Sequence, residues 1–195
     1  MKNLKRVLLI VLVMIAFSTN AQFKFGVGGG VNLANLAGSD ISNTDSRLGF
    51  NSGFMIELKL PIKLGFELDL LFSTKGVGRG VSSFYQCNAC DILPGEGEVN
   101  LSYIDLPVVM KIYMAKVLSF QLGGQYSMLL IAKSDGYDVK EYINSSDVSA
   151  VLGLGLDVSK LHVSARYNYG LTSIDDAGAD IKNNMFTFTL GYWIK

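Results

Sequence analysis

The sequence is poor in charge, proline and cysteine. Of its 195 residues, 17% are charged, 3 are proline and 2 are cysteine, whereas a soluble domain carries about 25% charged residues. Two cysteines exclude a disulfide-dense mini-protein, and 49% hydrophobic residues exclude a disordered tail. No apolar run reaches the roughly 18 residues of a membrane-spanning helix. Glycine, in contrast, is abundant at 21 residues, and the mean hydropathy is positive at +0.32.

The first 21 residues have the pattern of an export signal. Three basic residues come first, an apolar run follows at 7–17, and small residues lead up to Ala21. This pattern predicts a cleaved signal peptide, 1–21, and one mature domain, 22–195. Cleavage leaves 17 − 3 = 14 basic and 17 acidic residues, a net charge of −3. A mildly acidic exported domain has no electrostatic basis for binding nucleic acid.

From residue 22 onward, apolar residues recur at every second position, the period of a β-strand. In one run Phe66, Leu68 and Leu70 share a face, while Glu67 and Asp69 share the other. Eight such runs are found, at 22–34, 48–60, 64–75, 99–114, 117–133, 147–158, 161–172 and 184–195. All eight runs exceed the five or six residues of typical soluble strands and are long enough to cross a membrane, which takes about 9–11 residues.

The assignment of the two faces distinguishes two kinds of barrel. If the large apolar residues face lipid, the inward residues are small or charged, as a narrow eight-stranded lumen requires. Glycines then lie on the inward face and leave room for larger interior side chains: Gly26, Gly28, Gly30, Gly123, Gly153, Gly155 and Gly191. The alternative, a soluble periplasmic barrel of the lipocalin type, reverses the faces and would expose a glycine stripe to water. The sequence favours the transmembrane barrel.

The connections between the runs alternate in length. Those after the second, fourth and sixth runs are short, at 61–63, 115–116 and 159–160. The other four are longer and polar, at 35–47, 76–98, 134–146 and 173–183. Outer-membrane barrels alternate short periplasmic turns with long extracellular loops in this way. We therefore predict an all-β, antiparallel up-and-down transmembrane barrel of eight strands in the cell outer membrane.

Four segments of the chain resemble the outer-membrane β-barrel domain family, including its porin-like and PorT-like members. They are FGVGGGVNL at 25–33, FELDLLFSTKG at 66–76, LSYIDLP at 101–107 and ARYNYGL at 165–171. The resemblance implies an outer-membrane location and an eight-stranded meander barrel, generally without a known enzyme activity. We predict no cofactor. The PorT-like members additionally imply an accessory role in protein secretion.

Charged residues also fall on the predicted inward face. The candidates for a polar network in the lumen are Glu57, Glu67, Asp69, Asp105, Lys111 and Arg166, with Asp147 and Asp157 on the same face. Glu57 and Glu67 flank the 61–63 turn, so we expect them to lie nearly opposite each other. Arg166 can bridge two carboxylates with its fork of donors, and Lys111 is a second cation. A structural role is favoured over proton or ion conduction.

Two further features have the residue types of a catalytic or metal site. Cys87 and Cys90 form a CxxC in the 76–98 loop, but no βαβ unit supports a redox site, and two Cys and one His are too few for structural zinc. In an exported chain the pair is expected to form a local disulfide. His162 directly follows the 159–160 turn, and the sequence identifies no activating partner for it or for nearby Ser164. We predict no catalytic and no metal site.

The favoured function is therefore that of a structural or interaction protein. Its expected contacts are outer-membrane lipid, the barrel-assembly machinery during insertion, and a protein partner bound through loops 76–98 and 134–146. A narrow pore or transporter for small solutes is the first alternative, and the lipocalin-like binding barrel is the second.

Overall fold

The computed structural model describes residues 22–37, 46–77, 99–134, 137–138, 140, 144–172 and 182–195. They form the strands β1 (Gln22–Ala37), β2 (Arg47–Lys59), β3 (Leu64–Val77), β4 (Val99–Tyr113), β5 (Leu118–Ser134), β6 (Tyr137–Asp138), β7 (Ser146–Val158), β8 (Leu161–Gly170) and β9 (Lys182–Trp193). Within the described residues, no helix has the length and apolar character needed to cross a membrane. The predicted signal peptide, 1–21, lies outside the described residues.

The strands form one closed antiparallel barrel. Each long strand pairs with the next long strand along the chain, and β1 pairs with β9 to close the ring. The wall therefore has eight strands, because the two-residue β6 pairs only with the end of β5. The predicted fold is confirmed, and the strand ends differ from the predicted ones by at most three residues. β6 was not predicted.

The two faces of the wall are as predicted for a transmembrane barrel, with apolar side chains outside and polar side chains inside. In β9, Phe188 and Leu190 point outward and are 52% and 61% exposed, whereas Thr187 and Thr189 point inward and are 6% and 5% exposed. The same alternation runs through β8, and through β7 with inward Val151 as an apolar exception. A lipocalin-like barrel needs the opposite arrangement, so that alternative is wrong.

Inward glycines have two different roles. A β-carbon on Gly65 would lie 3.2 Å from the Tyr113 ring and 3.3 Å from Glu57 Oε1, so this glycine leaves room for interior side chains as predicted. A β-carbon on Gly123 would instead collide with the backbone carbonyl of Val108 on the neighbouring strand. The sequence does not reveal this second role, which is close approach of two strand backbones.

The barrel has two unlike ends. At the short-turn end lie the turns 60–63, 114–117 and 159–160, together with the start of β1 and the end of β9. The strand ends that the four longer connections join lie at the other end, which we call the long-loop end. Two residues in the short turns adopt the left-handed backbone conformation, Lys63 with φ 62° and Ser159 with φ 56°. This conformation costs a residue with a β-carbon roughly 1–2 kcal/mol.

Candidate functional site

The lumen holds the charged residues that the sequence places there. All six predicted members are 5% exposed or less: Glu57, Glu67, Asp69, Asp105, Lys111 and Arg166. Five of them join Tyr113, Asp157 and His162 in one set of contacts, which we call the lumen network. Asp105 lies apart from it and pairs with Lys75.

Arg166 connects opposite walls of the barrel. It stands on β8, which is four positions from β3 around the eight-stranded ring. Its Nη1 donates to Asp69 Oδ2 at 2.7 Å, its Nη2 forms an ion pair with Glu67, and its Nε donates to Gln121 Oε1 at 2.6 Å. The guanidinium thus bridges two carboxylates as predicted, and both of them belong to β3.

Lys111 neutralises a pair of facing carboxylates. Glu57 and Glu67 are direct register partners on β2 and β3, as the sequence predicts. Like charges in this position destabilise a sheet. Lys111 on β4 offsets the repulsion, since its Nζ lies 3.2 Å from Glu57 Oε2 and also pairs with Glu67. Lys24 adds a second, partly exposed cation at 3.5 Å from Glu57 Oε2.

Asp157 is the acceptor at the floor of the lumen, close to the short-turn end. Its Oδ1 accepts from His162 Nδ1 at 2.8 Å and from Trp193 Nε1 at 3.1 Å. Its Oδ2 accepts from the Tyr113 hydroxyl at 3.1 Å and lies 3.6 Å from Lys111 Nζ. Because a carboxylate only accepts, His162 carries its proton on Nδ1. Asp157 therefore holds four side chains from three other strands.

Sequence reasoning missed the partnership of Asp157 with His162, although a signal for it was present. The two residues are register partners across the 159–160 turn, in the same way that Glu57 and Glu67 face each other across the 61–63 turn. Among the described residues, His162 Nε2 has no hydrogen-bond partner. The described lumen therefore contains an oriented histidine but no hydroxyl nucleophile bound to it, as a catalytic pair requires.

A second group of side chains fills the lumen toward the long-loop end. Lys75 Nζ lies 2.9 Å from Asp105 Oδ1 and donates to Ser127 Oγ at 2.9 Å. Beside this pair is a buried apolar cluster of Leu101, Tyr103, Leu129 and Ala132. The Lys75 ammonium lies 4.7 Å from the centre of the Tyr103 ring. The sequence did not predict this apolar cluster.

Acidic side chains outnumber basic ones in the lumen. The buried acids are Glu57, Glu67, Asp69, Asp105, Asp147 and Asp157, and the buried cations are Lys75, Lys111 and Arg166. Within the described ranges, no three His, Cys, Asp or Glu side chains are arranged to hold a metal ion. Cys87 and Cys90 lie outside the described residues, so their disulfide stays a prediction.

Comparisons with known proteins agree with this architecture. A family model described as "Outer membrane protein beta-barrel domain" matches residues 17–176. The solved structure of Neisserial surface protein A is similar at 13% identity and a TM-score of 0.57, over 86% of this chain and 96% of that one. Ail, the attachment invasion locus protein of Yersinia pestis, solved with the heparin analogue sucrose octasulfate, is similar at 13% identity and a TM-score of 0.52, over 89% and 99%. No curated protein sequence matches the chain.

Proposed function

Because the chain belongs to the outer membrane protein β-barrel domain family, we propose that it acts in the outer membrane as a non-conducting scaffold whose long loops engage a protein partner outside the cell. The outer-membrane location and the small eight-stranded barrel follow from the family and the fold.

The observation that carries the proposal is the bridging of the lumen by buried side chains. Arg166 joins β8 to β3 across the full width of the ring, and Lys111 joins β4 to β2, β3 and β7. An eight-stranded barrel is just wide enough for side chains to fill its interior. Toward the long-loop end, Tyr103 and Leu129 on the adjacent strands β4 and β5 add buried apolar side chains to one side of the lumen. These contacts support a closed lumen.

A closed, rigid barrel leaves the long loops as the surface for a partner. We assign the contact to loops 76–98 and 134–146, the first of which is the longest connection in the chain. The base of the second loop is anchored to the wall, because β6 pairs with β5 and Lys140 Nζ donates to the Leu130 carbonyl at 3.0 Å. An accessory part in protein secretion is a narrower form of this proposal. No catalysis is assigned.

Planar-bilayer recording tests the closed lumen. The reconstituted protein should give no stable single-channel openings above the lipid baseline. The excess of buried carboxylates over cations favours one other function, a narrow cation pore. Regular openings with a preference for cations would contradict the closed lumen and support the cation pore instead.

Loop replacement tests the partner surface. Residues 80–97 and, in a second variant, 139–143 are exchanged for short Gly-Ser linkers, which leaves every barrel strand intact. Both variants should still migrate as folded, heat-modifiable barrels on gels, while cross-linking to partners on intact cells should be lost. As a matched control, residues 174–180 of the last loop are replaced in the same way. Cross-links that survive both replacements would contradict the assignment to these loops.

A further inference from the structure

The short-turn end of the barrel has a one-sided charge. The charged side chains of the three turns are all lysines, Lys63, Lys116 and Lys160, and Lys59 at the end of β2 adds a fourth at the mouth of the lumen. No Asp or Glu occurs in the turns 60–63, 114–117 and 159–160. The nearest acids, Glu57 and Asp157, are buried and already engaged in the lumen network. The turns at this end therefore carry positive side chains only.

Three of these lysines line one cavity. It has a volume of about 730 Å³ and lies between the neighbouring turns 60–63 and 114–117, with Lys59, Lys63 and Lys116 in its wall. Tyr113 also lines the cavity, and the Lys59 ammonium lies 3.7 Å from the centre of its ring. Among the described lining residues none is acidic. A concave site with several ammonium groups and no carboxylate suits an anion with several oxygens, such as a phosphate ester.

Exposed apolar side chains follow or precede the lining residues in both turns. Ile62 and Met114, one in each of the two turns, are 56% and 55% exposed. Phe66 on β3 and Ile112 on β4 continue the apolar surface up the wall, and Leu64 and Ile112 are register partners on these adjacent strands. A ligand with a phosphate group and acyl chains would meet lysines at one end and apolar side chains at the other.

We propose that the cavity binds the phosphate-bearing headgroup of an anionic phospholipid in the periplasmic leaflet of the outer membrane. Short turns of outer-membrane barrels face the periplasm, so the lysines stand at the level of that leaflet's headgroups. The lipid's acyl chains lie along Ile62, Met114 and the surface above them. The barrel is thereby anchored at its inner rim by specific lipid contacts, independently of what the long loops bind.

Lipid titration of the full-length barrel in non-ionic detergent, followed by native mass spectrometry, tests the proposal. Phosphatidylglycerol should bind more tightly than phosphatidylcholine with the same acyl chains. Each lysine removed should weaken phosphatidylglycerol binding about fivefold, so that Lys59→Gln, Lys63→Gln and Lys116→Gln together lose on the order of a hundredfold. A matched triple variant at the long-loop end, Lys133→Gln, Lys140→Gln and Lys182→Gln, removes the same charge and should bind as the wild type does.

One variant separates binding from folding. Lys63→Gly removes a cation at a left-handed backbone position where glycine carries no steric penalty, so it should fold at least as well as the wild type and bind phosphatidylglycerol about fivefold more weakly. Ser159→Gly makes the same backbone change in another short turn and should leave binding unchanged. Wild-type affinity in Lys63→Gly or in the triple lysine variant would overturn the proposal. Equal affinity for the two lipids, or displacement of lipid by an equal concentration of inorganic phosphate, would overturn the assignment to an anionic lipid.

Discussion

Arg166 reaches across the barrel to Asp69 on the opposite wall, with 2.7 Å between Nη1 and Oδ2. Both side chains are 5% exposed or less. The contact spans the ring between β8 and β3, so it forms only when the barrel is closed. Each charge would be costly to bury alone, and each is therefore dependent on the other.

Replacing the arginine should destabilise the barrel strongly. Arg166→Leu leaves Glu67 and Asp69 buried without their shared cation, and breaking a buried ion pair from one side costs about 3–5 kcal/mol. The expected result is a lower melting temperature and a lower urea midpoint in detergent. An unchanged melting temperature would remove Arg166 from the lumen network.

A compensated variant isolates the electrostatic part of that loss. Arg166→Leu combined with Glu67→Gln and Asp69→Asn removes the uncompensated carboxylates together with the cation. This variant should recover part of the lost stability, because the remaining amides are cheaper to bury than charges. If the combined variant is less stable than Arg166→Leu, side-chain packing outweighs charge at this site.

Two buried aspartates should respond differently to the same isosteric change. Asp157→Asn weakens an acceptor shared by His162, Trp193, Tyr113 and Lys111, and hydrogen bonds to a charged group contribute about 1.5–3 kcal/mol. Asp147→Asn is the matched control, because its Oδ1 accepts from Thr172 at the long-loop end and its Oδ2 has no hydrogen-bond partner among the described residues. We expect a clear loss of stability for Asp157→Asn and a small change for Asp147→Asn.

The single tryptophan provides a local readout of the same change. Trp193 is 2% exposed and donates its Nε1–H to Asp157. In the wild type its fluorescence should be protected from acrylamide, and Asp157→Asn should increase quenching more than Asp147→Asn does. Equal quenching in the three proteins would show that Asp157 does not hold the lumen floor in place.

The sequence predicts contacts well where a short turn sets the register. The 61–63 turn places Glu57 opposite Glu67, and a period of two then places every residue of β2 and β3 on the correct face. The same reasoning applied to the 159–160 turn would have paired Asp157 with His162. Residue type alone does not indicate this pair, because a lone histidine shows no partner until the register of the turn is considered.

The register at a short turn does not predict contacts across the lumen, nor contacts between strands that a long loop joins. Lys75 and Asp105 lie on β3 and β4, whose connection of about twenty residues leaves the register open. The partners of Arg166 depend on the stagger of the whole ring, which no local pattern encodes. The apolar cluster around Tyr103 and Leu129 is an exception to the rule that inward residues are polar, so the alternation does not predict it.

Adjacent glycines in β5 should tolerate alanine unequally. The β-carbon of Gly123→Ala would collide with the Val108 backbone carbonyl, whereas that of Gly124→Ala faces outward with its nearest contact, the Ser149 carbonyl, at 3.6 Å. Overpacking costs about 1–3 kcal/mol, and a surface change about 0.5 kcal/mol or less. Urea unfolding should thus show a lower midpoint for Gly123→Ala only. Equal midpoints would mean that β4 and β5 can separate enough to admit a methyl group.

A charge on the outer face should report how deep each position lies in the bilayer. Leu152 is at the middle of β7 and 48% exposed, and Leu171 follows the end of β8 and is 54% exposed. Arginine costs about 2–4 kcal/mol at the bilayer midplane and about 0–1 kcal/mol near the interface. In phospholipid vesicles, Leu152→Arg should lower the free energy of unfolding by that larger amount, and Leu171→Arg should change it little. Water around the barrel would accommodate both arginines at similar small cost, so equal effects of the two substitutions would contradict lipid contact at the middle of β7.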